Sequence, residues 1–243
     1  MPFDAILFDK DGTLVDFDRT WGPAACDVMK TLAAGHEGAF LRLAEISRFN
    51  PRDTLFAPDS PFLTGDLDVY APLWAQALGR RDLPRLRDEI ASLFRIAALS
   101  SLTPIGDPAA LTGWLGGEGY RLGIVSNDYE ASIRLQAGKL QILDDLDFIA
   151  GRDSGFGAKP DPGMIVAFAD TFGVAPRRIA VVGDTLADVR AAHAAGAVAI
   201  GVLTGPAHRE DMPGADYMIG SIADLPALLA SLTGGTRRPS ARN

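Results

Sequence analysis

Two acidic residues, Asp9 and Asp11, stand two positions apart directly after a short apolar run, residues 5–8. The stretch reads Asp-Lys-Asp-Gly-Thr, and its glycine allows the chain to bend. A carboxylate can attack phosphorus as a nucleophile, and a neighbouring carboxylic acid can protonate the leaving oxygen and then activate water. The pair is therefore a candidate for phosphoryl chemistry, although the same residues could also form a surface turn.

A second acidic pair, Asp184 and Asp188, follows the apolar run of residues 179–182 within Gly-Asp-Thr-Leu-Ala-Asp. Magnesium prefers oxygen ligands and usually takes one or two carboxylates together with phosphate oxygens and water. Asp184 and Asp9 could supply those carboxylates. From these residues alone, Asp184 and Asp188 could equally be a helix N-cap and an acid of the first helical turn.

Three donors of the kind that a phosphate group needs lie between the two acidic pairs. Ser126 and Asn127 follow the apolar run of residues 122–125, and Lys159 precedes a proline in Gly-Ala-Lys-Pro-Asp-Pro. A hydroxyl, an amide and an ammonium all donate hydrogen bonds to phosphate oxygens. Taken singly, they could be a cap and an exposed loop charge. Because the chain has a formal net charge of −8, an anionic substrate would need such a local cation.

The motifs belong to an alternation of short apolar runs with segments of helical composition. Such an alternation predicts a parallel α/β sheet with helices on both faces and ligands at the carboxyl ends of the strands. The runs predicted as buried strands are residues 5–8, 122–125, 148–150, 179–182 and 198–202.

The interval from residue 16 to about residue 100 breaks this alternation. Its apolar residues recur at helical spacing, most clearly over residues 21–32 and 81–99, which predicts a helical insert. Residues 49–64 are rich in proline and turn formers, so we expect an irregular loop there. At the other end, residues 233–243 have no apolar periodicity, and we expect a disordered basic tail.

The composition of the chain disfavours several classes of protein. The chain has 243 residues, 47% of them hydrophobic and 22% charged, as in a folded soluble protein. No apolar run approaches the roughly 20 residues that cross a bilayer, and the acidic balance disfavours binding to nucleic acid. With no secretory signal pattern at its start, the chain is expected to be cytoplasmic. Its one cysteine, Cys26, excludes an internal disulfide framework and is expected to be a packing residue.

In chain order the motifs resemble those of the haloacid dehalogenase superfamily. An apolar strand before Asp-x-Asp-Gly-Thr, a strand before Ser-Asn, a lysine before proline, and a strand before Gly-Asp-Thr with a further aspartate all occur between residues 6 and 188. The spacing is similar to that of the phosphoglycolate-phosphatase-like branch. The resemblance implies a Rossmann-like parallel-sheet core, residues 1–15 and 101–243, and an inserted α-helical cap domain, residues 16–100.

The resemblance also implies Mg²⁺ as cofactor and a role for each acidic residue. Asp9 would be the nucleophile and a magnesium ligand, and it would carry an aspartyl-phosphate intermediate. Asp11 would be the general acid and base, with its backbone carbonyl on the metal. Asp184 would be a further metal ligand. Asp188 would bind the metal through water or pair with Lys159.

The remaining matched residues, by the same resemblance, would bind phosphate: Thr13, Ser126, Asn127 and Lys159. The departure from the common pattern is Lys10, a cation between the two acids. Because side chains alternate along an extended chain, we expect Lys10 to point away from Asp9 and Asp11.

Substrate choice is expected to depend on the cap, where Arg48 and Arg52 are candidates for binding a substrate carboxylate. The expected activity is hydrolysis of a small phosphorylated metabolite, a phosphoglycolate-like phosphomonoester, by a monomer or homodimer. An alternative is a phosphomutase of the β-phosphoglucomutase type, which uses the same core residues. A dehalogenase is disfavoured because it needs no magnesium site. A non-catalytic binding module usually lacks a catalytic acid, and none is missing here.

Overall fold

The computed structural model describes residues 2–64, 66–205 and 209–234. Of the predicted tail, residues 235–243 lie outside this described part of the chain. The chain divides into two compact units. The first contains the residues up to Asp16 and those from Pro104 onward, and the second is Phe17–Thr103.

The strands of the described chain are short, as the apolar runs predict. They are β1 (Ala5–Phe8), β2 (Phe49–Asn50), β3 (Leu55–Phe56), β4 (Arg121–Val125), β5 (Phe148–Ala150), β6 (Ile179–Gly183), β7 (Val198–Val202) and β8 (Tyr217–Ile219). The helices are α1 (Phe17–Ala33), α2 (Glu37–Ile46), α3 (Leu67–Leu78), α4 (Leu83–Ser100), α5 (Pro108–Gly117), α6 (Glu130–Lys139), α7 (Gly163–Phe172), α8 (Leu186–Ala195) and α9 (Leu225–Gly234). No helix in this part of the chain is long and apolar enough to cross a membrane.

The first unit is built on a parallel sheet with the strand order β5-β4-β1-β6-β7-β8. Its central strands are almost entirely buried, as expected for a parallel sheet covered on both faces. In register, Phe8 of β1 lies between Ile124 of β4 and Val182 of β6. The three segments that leave these neighbouring strands therefore start side by side, at one edge of the sheet.

The predicted α/β fold is confirmed, and most strand positions agree closely. The runs at 5–8, 148–150 and 198–202 coincide with strands, while β4 and β6 each extend one residue further than predicted, to Arg121 and Gly183. The edge strand β8 was not predicted. It spans only three residues, too few for a periodic pattern, and it is defined by pairing with β7.

The chain leaves and re-enters the first unit at neighbouring points. Val15 forms an isolated bridge with Pro104, and the backbone N–H of Ile105 donates to the carbonyl of Leu14 at 2.9 Å. The 87-residue interval between them, Phe17–Thr103, is the second unit.

The second unit consists of α1 to α4 and the small antiparallel pair of β2 and β3. The expectation of an irregular loop over residues 49–64 is wrong for these two strands. Phe49 lies opposite Phe56, with ring centroids 4.9 Å apart, and Phe56 stacks on Phe62 at 4.4 Å. Cross-strand aromatic contacts stabilise such a pair, and they outweigh the turn-forming composition of the segment.

Two buried hydrogen bonds in the second unit meet at Ser47, at the end of α2. The indole Nε1–H of the fully buried Trp74 donates to the hydroxyl of Ser47 at 2.8 Å, and the hydroxyl of Ser60 donates to the carbonyl of Ser47 at 2.6 Å. Ser47 therefore provides the acceptor for a donor that has been removed from water.

We expect Ser47→Ala to lower the free energy of unfolding by about 1–3 kcal/mol, because the buried indole N–H loses this acceptor. Urea denaturation followed by circular dichroism measures the change. Ser100→Ala, at an exposed position on α4, is the control and should change stability by less than about 0.5 kcal/mol. Equal losses in the two variants would contradict this account of Ser47.

Candidate active site

Three carboxylates meet at the carboxyl edge of the central strands in the first unit. Asp9 follows β1, whereas Asp184 and Asp188 lie just after β6 and in the first turn of α8. One oxygen from each lies within 4.8 Å of the others, and all three residues are buried. Buried carboxylates this close repel one another, so the arrangement requires compensating positive charge.

Lys159 supplies part of that charge. Its Nζ lies 2.7 Å from Oδ1 of Asp9 and 2.6 Å from Oδ1 of Asp188. Burial by itself lowers the pKa of Lys159, but the carboxylates of Asp188 and Asp9 outweigh burial and raise it, so the ammonium stays charged. The sequence-predicted residues Asp9, Lys159 and Asp188 thus form one ion-paired group.

Burial raises the pKa values of two of these carboxylates, those of Asp9 and Asp184. Burial raises the pKa of Asp9 to about 6, although Lys159 opposes the shift and Asp188 adds to it. Burial also raises the pKa of Asp184 well above its usual range, and the negative charge of Asp9 adds to the effect. With all three carboxylates ionised, the site would carry more negative charge than Lys159 balances, and a bound cation would relieve this repulsion.

Asp184 sits in a narrow space lined by backbone. A Cβ atom on Gly12 or on Gly205 would overlap Oδ2 of Asp184. Gly12 also has a φ of +79°, a conformation that favours glycine. The hydroxyl of Thr13 donates to Oδ1 of Asp184 at 3.3 Å, and the hydroxyl of Thr204 donates to the carbonyl of Gly12 at 2.6 Å. The loop after β1 and the loop after β7 thus hold this carboxylate from two sides.

Asp188 is fixed by its own helix terminus. Its Oδ2 accepts hydrogen bonds from the backbone N–H of Thr185 at 3.0 Å and from the hydroxyl of Thr185 at 2.6 Å, while Oδ1 contacts Lys159. Of the two roles that the resemblance implies for Asp188, this geometry corresponds to pairing with Lys159.

Asn127 acts on the loop that carries Lys159. Its Nδ2 donates to the carbonyl of Lys159 at 3.0 Å, and its Oδ1 accepts from the backbone N–H of Lys159 at 2.8 Å. Ser126 is buried, and its Oγ accepts from the backbone N–H of Asp128 at 3.2 Å. The expected binding of phosphate by Ser126 and Asn127 stays a prediction, but the Asn127 side chain has a clear second task, which is to position Lys159.

The expectation that Lys10 points away from Asp11 is wrong. Its Nζ lies 2.7 Å from each carboxylate oxygen of Asp11, and Lys10 is only 1% exposed. The alternation of side chains fails because the strand ends at Phe8. From there the chain turns, and the carbonyl of Lys10 accepts the backbone N–H groups of Leu14 and Val15.

The two arginines predicted to set specificity lie in the second unit. Nε of Arg48 lies 2.7 Å from Oδ1 of Asp59, and both side chains are well exposed. Arg52 is exposed, and its backbone N–H donates to Oδ1 of Asn50 at 3.1 Å. Their proposed role in substrate binding stays a prediction.

Comparison with known proteins gives the family. The family model described as haloacid dehalogenase-like hydrolase matches residues 3–196. The chain belongs to the haloacid dehalogenase-like hydrolase family. A phosphoglycolate phosphatase of Rhodospirillum rubrum is 30% identical over 201 residues, 79% of this chain and 76% of that protein. One of Nitrosospira multiformis is 30% identical over 196 residues, 81% of each chain. These relatives support the predicted enzyme class, a phosphatase.

Solved structures of this hydrolase family show the same fold. A phosphatase of the family from Thermococcus onnurineus is 24% identical, with a TM-score of 0.64, and the match covers 93% of this chain and 97% of that one. A Thermotoga maritima protein named as a beta-phosphoglucomutase is 18% identical, with a TM-score of 0.70, over 94% of this chain and 99% of that one. At these identities the likeness establishes the hydrolase fold and leaves the reaction open.

The donor set of this hydrolase fits a divalent cation. The oxygens of Asp9, Asp184 and Asp188 converge, and hard cations such as Mg²⁺ prefer oxygen ligands. Both oxygens of Asp188 are already engaged, Oδ1 by Lys159 and Oδ2 by Thr185, so Asp9 and Asp184 are the better candidates for direct ligands.

We expect Gly205→Ala to weaken Mg²⁺ binding by about 10–100-fold, because the new methyl group displaces the Asp184 carboxylate. The methyl group would also lie 2.7 Å from Cβ of Asp184, so some loss of stability is expected, and circular dichroism must show that the variant is folded before its affinity is compared. Isothermal titration with MgCl₂ measures the affinity. Gly113→Ala on α5, where a Cβ meets nothing within 4 Å, is the control. Wild-type affinity in Gly205→Ala would contradict the assigned role of Asp184.

Asp184→Asn should make the metal-free protein more stable at pH 8. The folded state raises the pKa of Asp184, so the ionised carboxylate destabilises the fold once the pH exceeds its ordinary value of 3.8. The gain should therefore shrink toward zero as the pH falls to about 4. Urea denaturation in EDTA at both pH values measures it. A variant less stable than wild type at pH 8 would contradict the prediction.

Proposed function

We propose that the chain is a magnesium-dependent phosphatase that hydrolyses a small phosphorylated metabolite, a phosphoglycolate-like phosphomonoester, through an aspartyl-phosphate on Asp9. The proposal depends chiefly on one observation, the 2.7 Å contact between the Lys159 ammonium and the Asp9 carboxylate within a group of buried carboxylates. An anionic nucleophile can approach an anionic phosphate only where cations offset their repulsion.

Asp9 is suited to act as the nucleophile. Its pKa of about 6 leaves the carboxylate ionised at neutral pH and above. Asp9 and Asp184, together with the backbone carbonyl of Asp11, would hold magnesium. The bound ion would supply positive charge near the phosphate and the nucleophile. The hydroxyl of Thr13 and the Ser126-Asn127 segment would complete the phosphate site.

In the first step an oxygen of Asp9 forms a bond to phosphorus while the bond from phosphorus to the leaving oxygen breaks. Asp11, in its protonated form, donates a proton to that leaving oxygen. In the second step Asp11, now a carboxylate, takes a proton from water. The resulting nucleophile attacks phosphorus, and the bond to Asp9 breaks, which releases phosphate and restores both acids. Lys159 stays beside Asp9 and offsets negative charge in both steps.

The proposed substrate class follows from the relatives named as phosphoglycolate phosphatases. Such a substrate carries a carboxylate as well as a phosphate, so a second cationic contact would improve its binding. Arg52 is the better of the two sequence candidates, because the guanidinium of Arg48 already pairs with Asp59.

Acetyl phosphate, whose leaving group needs no protonation, separates the two acids by experiment. In magnesium, Asp9→Asn should show no covalent phosphate, because the nucleophile is lost. Asp11→Asn should accumulate phosphate on Asp9, because the base that activates water is missing. Intact-protein mass spectrometry after a rapid quench measures the labelled fraction, and EDTA should abolish labelling. Labelling of Asp9→Asn would exclude the proposed nucleophile.

Two further outcomes concern the reaction as a whole. If the wild-type phosphoenzyme passes its phosphate to an added sugar phosphate much faster than to water, the protein is a mutase. If neither the wild type nor Asp11→Asn is labelled and no phosphate is released from phosphoglycolate, the proposed activity is wrong.

A further inference from the structure

Lys10 is a buried cation with a complete set of partners. Its Nζ lies 2.7 Å from both oxygens of Asp11, 3.3 Å from Oδ2 of Asp128 and 3.0 Å from Oε1 of Gln136. Two carboxylates, those of Asp11 and Asp128, face this buried ammonium. The ammonium is therefore paired with the carboxylate proposed as the acid and base.

The partners of Lys10 on the far side from Asp11 are themselves fixed. Oδ2 of Asp128 accepts from the hydroxyl of Ser132 at 2.8 Å, and Oδ1 accepts from the backbone N–H of Tyr129 at 2.7 Å. Nε2 of Gln136 donates to Oγ of Ser132 at 3.1 Å. Asp128 lies two residues before the start of α6, and Ser132 and Gln136 belong to that helix. Lys10 thus connects Asp11 to a hydrogen-bonded group on a helix that carries none of the proposed catalytic residues.

The contact of Lys10 with both oxygens of Asp11 is more than burial of a charge requires. A buried lysine needs only enough opposite charge to offset its desolvation. Here one ammonium engages both oxygens of the same carboxylate, which restricts the side-chain rotation of Asp11. The side chain of Asp11 is 21% exposed, and Lys10 is almost fully buried, so this contact holds the carboxylate from the interior of the protein.

We propose that Lys10 is a positioning residue for Asp11, and that Asp128 and Gln136 hold Lys10 in the place where it does this. The inference rests on the proposed function, since it concerns the orientation of the acid and base in that reaction. Attack by Asp9 on an activated phosphate does not use Asp11. Proton transfer to a poor leaving group and activation of water both do.

The test compares these two kinds of step in Lys10→Met, which keeps an unbranched side chain one atom shorter and removes the ammonium. With acetyl phosphate and magnesium, rapid-quench mass spectrometry gives the rate at which Asp9 is labelled, and transfer of the labelled protein into magnesium buffer without acetyl phosphate gives the rate of dephosphorylation. We expect labelling within about twofold of wild type and dephosphorylation slower by about 10²-fold, the loss typical of a displaced catalytic group. Lys139→Met, an exposed position on α6, is the matched control for loss of a lysine and should match wild type in both rates.

A general loss of structure would lower both rates together, so the ratio of the two rates separates positioning from folding. Gln136→Met supports the same test from outside the site, because it removes an acceptor from Lys10 without touching Asp11. It should slow dephosphorylation in the same direction by a smaller factor.

Each outcome decides one proposal. If Lys10→Met and Gln136→Met dephosphorylate as fast as wild type, or lose both rates equally, Lys10 is not a positioning residue, and the proposed phosphatase mechanism still stands. If wild type itself is never labelled, the mechanism fails and the inference fails with it. If Lys10→Met does not fold, an unchanged rate ratio in Gln136→Met overturns the inference.

Discussion

The contact of Lys159 with Asp9 and Asp188 is the interaction on which the rest of the site depends. Buried carboxylates so close together would favour protonation or separation without a cation between them. Lys159 in turn requires a loop that holds its backbone, which Asn127 does with both ends of its amide. The helix terminus at Thr185 fixes Asp188 in the same way. These contacts keep the Lys159 ammonium beside the Asp9 carboxylate.

Strand order explains how residues distant in sequence come to share this site. Because β1 lies between β4 and β6, the segments that follow Phe8, Val125 and Gly183 leave the sheet together. Because these strands are parallel, their carboxyl ends lie at the same edge of the sheet, and the residues that follow them lie close together. The convergence of three buried carboxylates would favour a bound cation, and their mutual repulsion opposes folding when all three are ionised.

The sequence was most informative where chemistry and strand ends coincide. Asp9 and Asp184 could be predicted to lie close together because each follows an apolar run, and Lys159 could be predicted from its place before a proline in the motif set. The central sheet could be predicted from its apolar runs. The pairing of Lys10 with Asp11 could not, since it depends on a turn and on Gln136, 126 positions later. The task of Asn127 on the Lys159 backbone and the β2–β3 pair were missed for a similar reason. They depend on tertiary contacts that local composition does not contain.

The bridge between Val15 and Pro104 makes the second unit an insertion with adjacent ends. The strands β1 and β4 pair directly with each other, one before the second unit and one after it. Their register therefore does not depend on the length of the chain between them. Insertions at closely spaced ends are tolerated because they leave the contacts of the host domain unchanged. The same catalytic sheet can thus be combined with inserts of different size and surface, which allows substrate range to diverge while the phosphate chemistry is retained.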